Sequence, residues 1–310
     1  MEGNGATLAL DVSDTPSDSS LLQDSSTADA RSGAVRMGRE LPEDLVAQIE
    51  DISDASGMDV NVAVIDFDSA ARGGYRSNSR MVSASMIKLI IAEAFLQQVA
   101  NGTCSLDEYY TLQDSDIVGG TGSLGGYGVG AQVTYRQMLD MMISESDNTA
   151  TNILIDALET DDETGMEVVN AEAARLGLMN TQLNRYMMDS DAISEGIENY
   201  VSADDVAALL EMVYDGAFVD AESSAIMLEA LEQQQDPGGI LDGLPDDTVF
   251  AHKTGELDDV CHDGGIVECE HSFVLVVLCG GDGYNRQGAL DAMALVAEAV
   301  YDYGSRAYSA

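Results

Sequence analysis

Apolar and polar positions alternate along the chain in a way that divides it into successive elements. Leu41-Pro-Glu-Asp-Leu-Val-Ala-Gln-Ile-Glu-Asp-Ile sets apolar residues at helical spacing behind Pro42 and two acids, which predicts a helix to about Ser56. Val60-Asn-Val-Ala-Val-Ile-Asp-Phe-Asp alternates as a strand does, and Gly73-Gly74 marks a turn toward a second short strand. The run from Met81 to Val99 is apolar on almost every face, the pattern of a helix buried in the core. Helical patterns return from Thr134, Asn148, Met166 and Ser202, and over roughly Glu222–Gln233. Residues 178–201 form a long loop, and loops of that length in compact domains are commonly functional. The last third changes period: Thr248–Gly255, Gly265–Cys269 and Ser272–Cys279 read as strands in hairpin succession, closed by a helix from Arg286 to Tyr303.

Strands near both ends with helices between them predict an α+β fold, an antiparallel sheet built from both chain ends with flanking helices and an inserted all-helical part at roughly 101–233. Residues 41–305 read as one domain. Residues 1–40, rich in Ser, Asp, Thr, Ala and Gly, have the composition of a flexible tether. With 310 residues, 45% of them hydrophobic, the chain can bury a substantial core.

Charge narrows the function classes. Fifty-six acidic residues against 13 basic ones give a net charge of −43, which opposes binding to DNA, RNA or anionic lipid, because phosphate contacts need clustered Lys and Arg. No stretch has the length of an apolar membrane span, and the start of the chain lacks a basic-then-apolar signal pattern. The glycine-rich stretch Gly119–Gly130 invites comparison with a phosphate cradle. It lacks the Gly-Lys-Ser/Thr ending, and no dinucleotide fingerprint lies between a strand and a helix. Cys104, Cys261, Cys269 and Cys279 allow three pairings without choosing among them, and with His262 and His271 they make no zinc-ligand spacing. No metal or other cofactor is implied.

Lysine has nearly been purged. Only Lys88 and Lys253 occur, in Ser85-Met-Ile-Lys88 and Lys253-Thr254-Gly255, so neither reads easily as surface charge. On a helix Ser85 and Lys88 share a face about 5–6 Å apart, the spacing of a nucleophile and a base. An amine in a dry place loses its charge more easily and can then take a hydroxyl proton. The plainer alternative is a capping serine followed by a lysine that snorkels to solvent. Likewise Ser146-Asp147-Asn148, between two helical patterns, reads on its own as an N-cap.

The three motifs together, Ser-x-x-Lys at 85–88, Ser-Asp-Asn at 146–148 and Lys-Thr-Gly at 253–255, resemble the signature of class A β-lactamases and penicillin-binding proteins. Ser146-Asp-Asn-Thr-Ala-Thr-Asn-Ile-Leu-Ile and Leu176-Gly-Leu add to the likeness, which runs from about Leu41 to Tyr303. The resemblance implies the two-part fold of that family with its site in the cleft between the parts. It further implies Ser85 as nucleophile, Lys88 as its partner in activation and Ser146 as proton relay. Asn148 would hold the substrate amide, and Lys253, Thr254 and Gly255 would bind the substrate carboxylate edge. The backbone N–H groups of Ser85 and Glu256 would form the oxyanion hole. The implied ligand is a small-molecule β-lactam or a cell-wall peptide, and the implied location is extracytoplasmic.

Two departures from the family pattern qualify this. The loop that carries the family's hydrolytic glutamate reads Arg185-Tyr186-Met187-Met188-Asp189-Ser190-Asp191, so Met187 stands at the glutamate's place. A thioether cannot take a proton from water, which leaves Asp189 and Asp191 as possible substitutes and Arg185 as a loop anchor for Glu198 or Asn199. The strand after Lys253-Thr-Gly also lacks the family's arginine. His262 is either a replacement cation or a hydrogen-bonded strand residue. Three readings stay open: a β-lactam hydrolase, a penicillin-binding D-Ala-D-Ala peptidase with slow release, and a non-catalytic cell-envelope binding domain.

Overall fold

The computed structural model describes residues 39–308, so nearly all of the tether expected at 1–40 lies outside the described residues. The strands are β1 (Arg39–Glu40), β2 (Asp59–Asp66), β3 (Ala71–Tyr75), β4 (Met81–Val82), β5 (Tyr109–Thr111), β6 (Gln132–Thr134), β7 (Tyr200–Val201), β8 (Val249–Leu257), β9 (Val260–Glu268) and β10 (Phe273–Gly280). The helices are α1 (Glu43–Ser56), α2 (Lys88–Ala100), α3 (Tyr135–Ser144), α4 (Asn148–Asp156), α5 (Gly165–Leu176), α6 (Ser190–Ser194), α7 (Ala203–Tyr214), α8 (Ala221–Glu232) and α9 (Arg286–Tyr308). Among the described residues no helix is long and apolar enough to cross a membrane.

The main sheet runs β1-β3-β2-β10-β9-β8, antiparallel except for the short β1–β3 pairing, so both ends of the chain build it as expected. Strand alternation assigns its two faces. On β2 and β10, Val62, Val64, Leu275 and Val277 join the core under α1 and α9, while Ala63, Ile65, Val274 and Val276 join the core shared with the helical part. Because both faces are covered, β10 is buried along its whole length. The same alternation on β8 turns Lys253 toward the helical side, with Ala251.

Two local expectations need correction. Gly73 and Gly74 lie inside β3 rather than in a turn, because a Cβ at Gly74 would fall 1.8 Å from the Val62 carbonyl oxygen on the neighbouring strand. The helix expected from Met81 begins only at Lys88. Met81–Val82 pairs with β7, and a 3₁₀ turn, Ala84–Ile87, carries Ser85. Met81–Val82 is apolar though only half-buried, and residues 86–96 are buried on every face, so apolar periodicity does not mark the boundaries.

Candidate active site

The junction of sheet and helical part holds a cavity of about 410 Å³ whose lining includes Ser85, Ser146, Asn148, Thr254, Gly255 and Met187. The three sequence motifs, far apart in the chain, therefore meet. Beneath that lining lie Lys88 and Lys253, both wholly inaccessible to solvent.

Ser85 is held by the 3₁₀ turn against β8. A Cβ built on Gly255 would stand 3.0 Å from the Ser85 backbone nitrogen and 3.2 Å from Ala84 Cβ. Glycine at 255 is thus what lets the edge strand approach the serine this closely. Ala84 sits at φ 44°, a left-handed conformation that costs a non-glycine residue on the order of 1 kcal/mol or more.

Lys88 Nζ has three partners: the Ser146 carbonyl oxygen at 2.7 Å, Asn148 Oδ1 at 2.8 Å and Ser146 Oγ at 3.1 Å. Ser85 Oγ is not among them, so the expected direct pairing of Ser85 with Lys88 is replaced by pairing of Lys88 with Ser146. Burial holds the Lys88 ammonium well below the usual lysine range, the Lys253 charge adds to this and Asp147 opposes it. A neutral amine has two N–H donors and a lone pair. The carbonyl and amide oxygens can only accept, so the lone pair falls to the one reversible partner, the Ser146 hydroxyl. A proton path between Ser146 and Lys88 follows from that geometry.

Ser146 is at φ 56°, and its carbonyl oxygen also accepts from Thr121 Oγ1 at 2.6 Å. Asp147 caps α4 by accepting from Ala150 N–H at 2.8 Å and receives Leu124 N–H at 2.7 Å. Asn148 Nδ2 donates to the Gly119 carbonyl at 3.2 Å. The N-cap reading of this motif is therefore correct for Asp147, while its two neighbours face the cavity. The glycine-rich stretch proves to be the wall behind them. A Cβ at Gly120 would lie 2.3 Å from Asn148 Nδ2, and one at Gly122 would lie 2.2 Å from the Asp147 carboxylate. Thr121 and this wall escaped the sequence reading. Their signal was the run of glycines beside no phosphate motif, which marks close backbone approach.

Lys253 Nζ donates to the Thr254 carbonyl at 2.9 Å. Burial pushes its pKa down to about 7, with Asp236 and Asp263 pulling the other way. His262 is no replacement cation. Its Nδ1 accepts from Cys279 N–H at 3.3 Å, which leaves Nε2–H to donate to the Val82 carbonyl at 2.8 Å, and burial lowers its pKa to about 4. It is a neutral tie between β9 and the strand that leads into Ser85. The acids Glu145, Asp236 and Glu256 line the cavity, with Glu256 paired to Arg286 at 2.8 Å.

The loop after α5 is anchored as expected, with Arg185 Nη2 2.6 Å from Glu198 Oε2 and the Arg185 N–H donating to Asn199 Oδ1 at 3.0 Å. Met187 is buried against the cavity, its backbone clamped by Asn152 through N–H to Oδ1 at 2.9 Å and Nδ2–H to carbonyl at 3.1 Å. Asp189 and Asp191 are not brought to the site. Asp189 Oδ1 caps α6 by accepting from Ala192 N–H at 3.0 Å, and Asp191 is exposed on that helix. Among the described residues no cluster of His, Cys, Asp and Glu stands ready to hold a metal ion.

This fold and this meeting of motifs find their counterparts among known proteins. The profile of the beta-lactamase enzyme family matches residues 44–304, and the chain belongs to that family. Among solved structures it resembles a beta-lactamase from Sphaerobacter thermophilus, with 26% identity over 84% of this chain and 97% of the other, at a TM-score of 0.75. It also resembles a leucine-to-glutamate mutant of PBP-A in its acyl-enzyme complex with penicillin G, with 25% identity over 87% and 100% of the two chains and a TM-score of 0.78. A variant of the class A beta-lactamase of the last common ancestor of Gram-negative bacteria matches at 25% identity, 86% and 100% coverage and a TM-score of 0.75. The protein has the α+β fold of class A β-lactamases and of PBP-A.

Proposed function

We propose that the protein is a serine hydrolase that opens β-lactam amides through a Ser85 acyl-enzyme and releases the acyl group slowly. The observation that carries this reading is the buried Lys88 amine hydrogen-bonded to Ser146 beside a cavity-lining Ser85. Attack by Ser85 Oγ on the amide carbonyl sends its proton to the Lys88–Ser146 pair, and Ser146 returns a proton to the departing nitrogen. Backbone N–H groups of Ser85 and Glu256 receive the developing oxyanion. Asn148 positions the substrate amide, and Lys253, held beneath Thr254, draws the substrate carboxylate by its field. Release has no obvious base, since Met187 occupies the loop position that faces the cavity and Asp189 is spent on a cap.

That same feature favours a second reading, a penicillin-binding protein acting on or trapped by D-Ala-D-Ala peptides. Acylation is common to both readings, and an extracytoplasmic location goes with either. Intact-protein mass spectrometry after incubation with a penicillin is expected to show a covalent adduct that Ser85→Ala abolishes. No adduct with any of several β-lactams would refute both and leave the binding-domain reading. Turnover of a chromogenic cephalosporin at rates on the order of 1–10³ s⁻¹ would decide against the penicillin-binding alternative.

A further inference from the structure

All four cysteines are unbonded thiols in the structure, yet the sheet sorts them. Cys261 on β9 and Cys279 on β10 are direct cross-strand partners. Directly opposite residues of an antiparallel pair share a face, with Cβ atoms about 4.5–5.5 Å apart. Both thiols accordingly sit in the same apolar cluster under α1 and α9. Cys269 directly follows the end of β9, eight residues on from Cys261 and about 26 Å away at the rise of a strand, and its Sγ donates to the His271 carbonyl at 3.1 Å. Cys104 packs in the other cluster, across the sheet, with Sγ 3.6 Å from the Ala157 carbonyl. Of the pairings open to the sequence, geometry leaves one.

We infer that Cys261 and Cys279 form a cross-strand disulfide when the chain folds in the presence of a disulfide oxidant. The Cα separation of an opposed antiparallel pair, about 4.5–5.5 Å, is within the range a disulfide spans, about 4.4–6.8 Å. The Cβ atoms must close by about 1 Å to reach the usual separation near 3.8 Å. Such a bond carries strain and is correspondingly reducible. With a small disulfide such as oxidised glutathione, the two protein thiols lose their hydrogens and become joined through sulfur. The glutathione disulfide is reduced to two thiols, which take up those hydrogens.

Timing follows from burial. Both side chains are inaccessible once folded, and burial raises both thiols, Cys261 to about 12. The thiolate is the nucleophile, so exchange in the folded protein is slow and whichever redox state is present at folding is retained. The bond would lie directly behind the candidate site, because Cys261 also pairs with Glu256 on β8 and Cys279 N–H bonds the neighbouring His262.

The test is to refold the full chain in a glutathione redox buffer, alkylate the remaining thiols and map peptides without reduction. The expected result is a Cys261–Cys279 linked peptide with Cys104 and Cys269 alkylated, and a midpoint of thermal unfolding about 5–10 °C above that of the reduced protein. A Cys104→Ser, Cys269→Ser variant should keep the link and the shift, and Cys261→Ala should lose the shift. Alkylation at all four cysteines of natively refolded protein would overturn the inference. So would linkage through Cys104 or Cys269, or an oxidant-dependent shift that survives in Cys261→Ala.

Discussion

Replacing Met187 with glutamate tests whether acyl release is limited by a missing base. Met187 is only 7% exposed and lines the cavity with Ser85. Its backbone is clamped at both N–H and carbonyl by Asn152, so a substituted side chain of similar length keeps the same origin and direction. A positioned general base accelerates proton transfer by about 10²–10⁴-fold. At about 1.4 kcal/mol per decade this removes about 3–5 kcal/mol from the release barrier. The cost is stability: a packed, buried thioether becomes a carboxylate with no free cation among the described residues of the cavity lining, since Arg185 there is already paired with Glu198, and a loss of about 1–3 kcal/mol is expected. The assay is a pulse of penicillin followed by timed quenching and intact-mass measurement of the acyl-enzyme. Its lifetime should shorten by about 10²–10⁴-fold in Met187→Glu and stay unchanged in Met187→Gln, which matches the glutamate in size but lacks a base. Equal lifetimes in the wild type and Met187→Glu, or equal shortening by the two substitutions, would show that release is limited by something else.

Lys253 is charged below its pKa of about 7 and neutral above it, so the KM of an anionic penicillin should rise with pH above 7, by about tenfold per unit, and Lys253→Arg should remove that dependence. Glu93 is buried with no partner for Oε2, and burial beside Glu172 pushes its pKa from 4.5 to about 9. The folded state therefore keeps a proton that the unfolded chain sheds, stability falls as pH rises between those values, and Glu93→Gln should flatten the urea midpoint against pH relative to wild type. Gly120→Ala, at φ 87° and against Asn148 Nδ2, should slow acylation at least tenfold while far-ultraviolet circular dichroism stays native. A net charge of −43 repels itself in the compact state, so raising salt from about 0.1 M to 1 M, which shortens the screening length from about 10 Å to 3 Å, should raise the thermal midpoint. An unchanged or lowered midpoint would show that self-repulsion does not limit stability.

The chemistry of the site was more legible than its mechanics. Lys88 and Lys253 stood out because a chain so poor in lysine keeps them at positions that charge alone does not explain, whereas Ser85 and Ser146, each readable alone as a cap, were singled out by the resemblance of the three motifs together to the class A signature. The hydrogen-bond partner of Lys88 could not be read, because it depends on a 3₁₀ turn where periodicity gave a continuous helix. Asp189 was a candidate base because it lies two places from Met187. Its position three before the Ala192 N–H, at the start of a polar turn, is the ordinary mark of an N-cap and was the better guide. His262 illustrates the opposite limit, since only the burial supplied by β10 and Val82 decides that it is neutral.

Backbone strain locates the site without reference to any motif. Among the described residues six that are not glycine have positive φ, and three of them, Ala84, Ser146 and Met188, line the cavity. Each such conformation costs on the order of 1–3 kcal/mol and persists only where its surroundings enforce it. The enforcing contacts are present for Ser146: Lys88 and Thr121 both hold its carbonyl, and Asp147 caps the helix that follows. Relaxing that residue would turn its carbonyl away from Lys88 and leave a buried amine short of an acceptor, a loss comparable to the strain itself. The strained Ser146 backbone and the Lys88 and Thr121 hydrogen bonds thus stabilise one another, and the fold retains a costly geometry in the wall of the cavity.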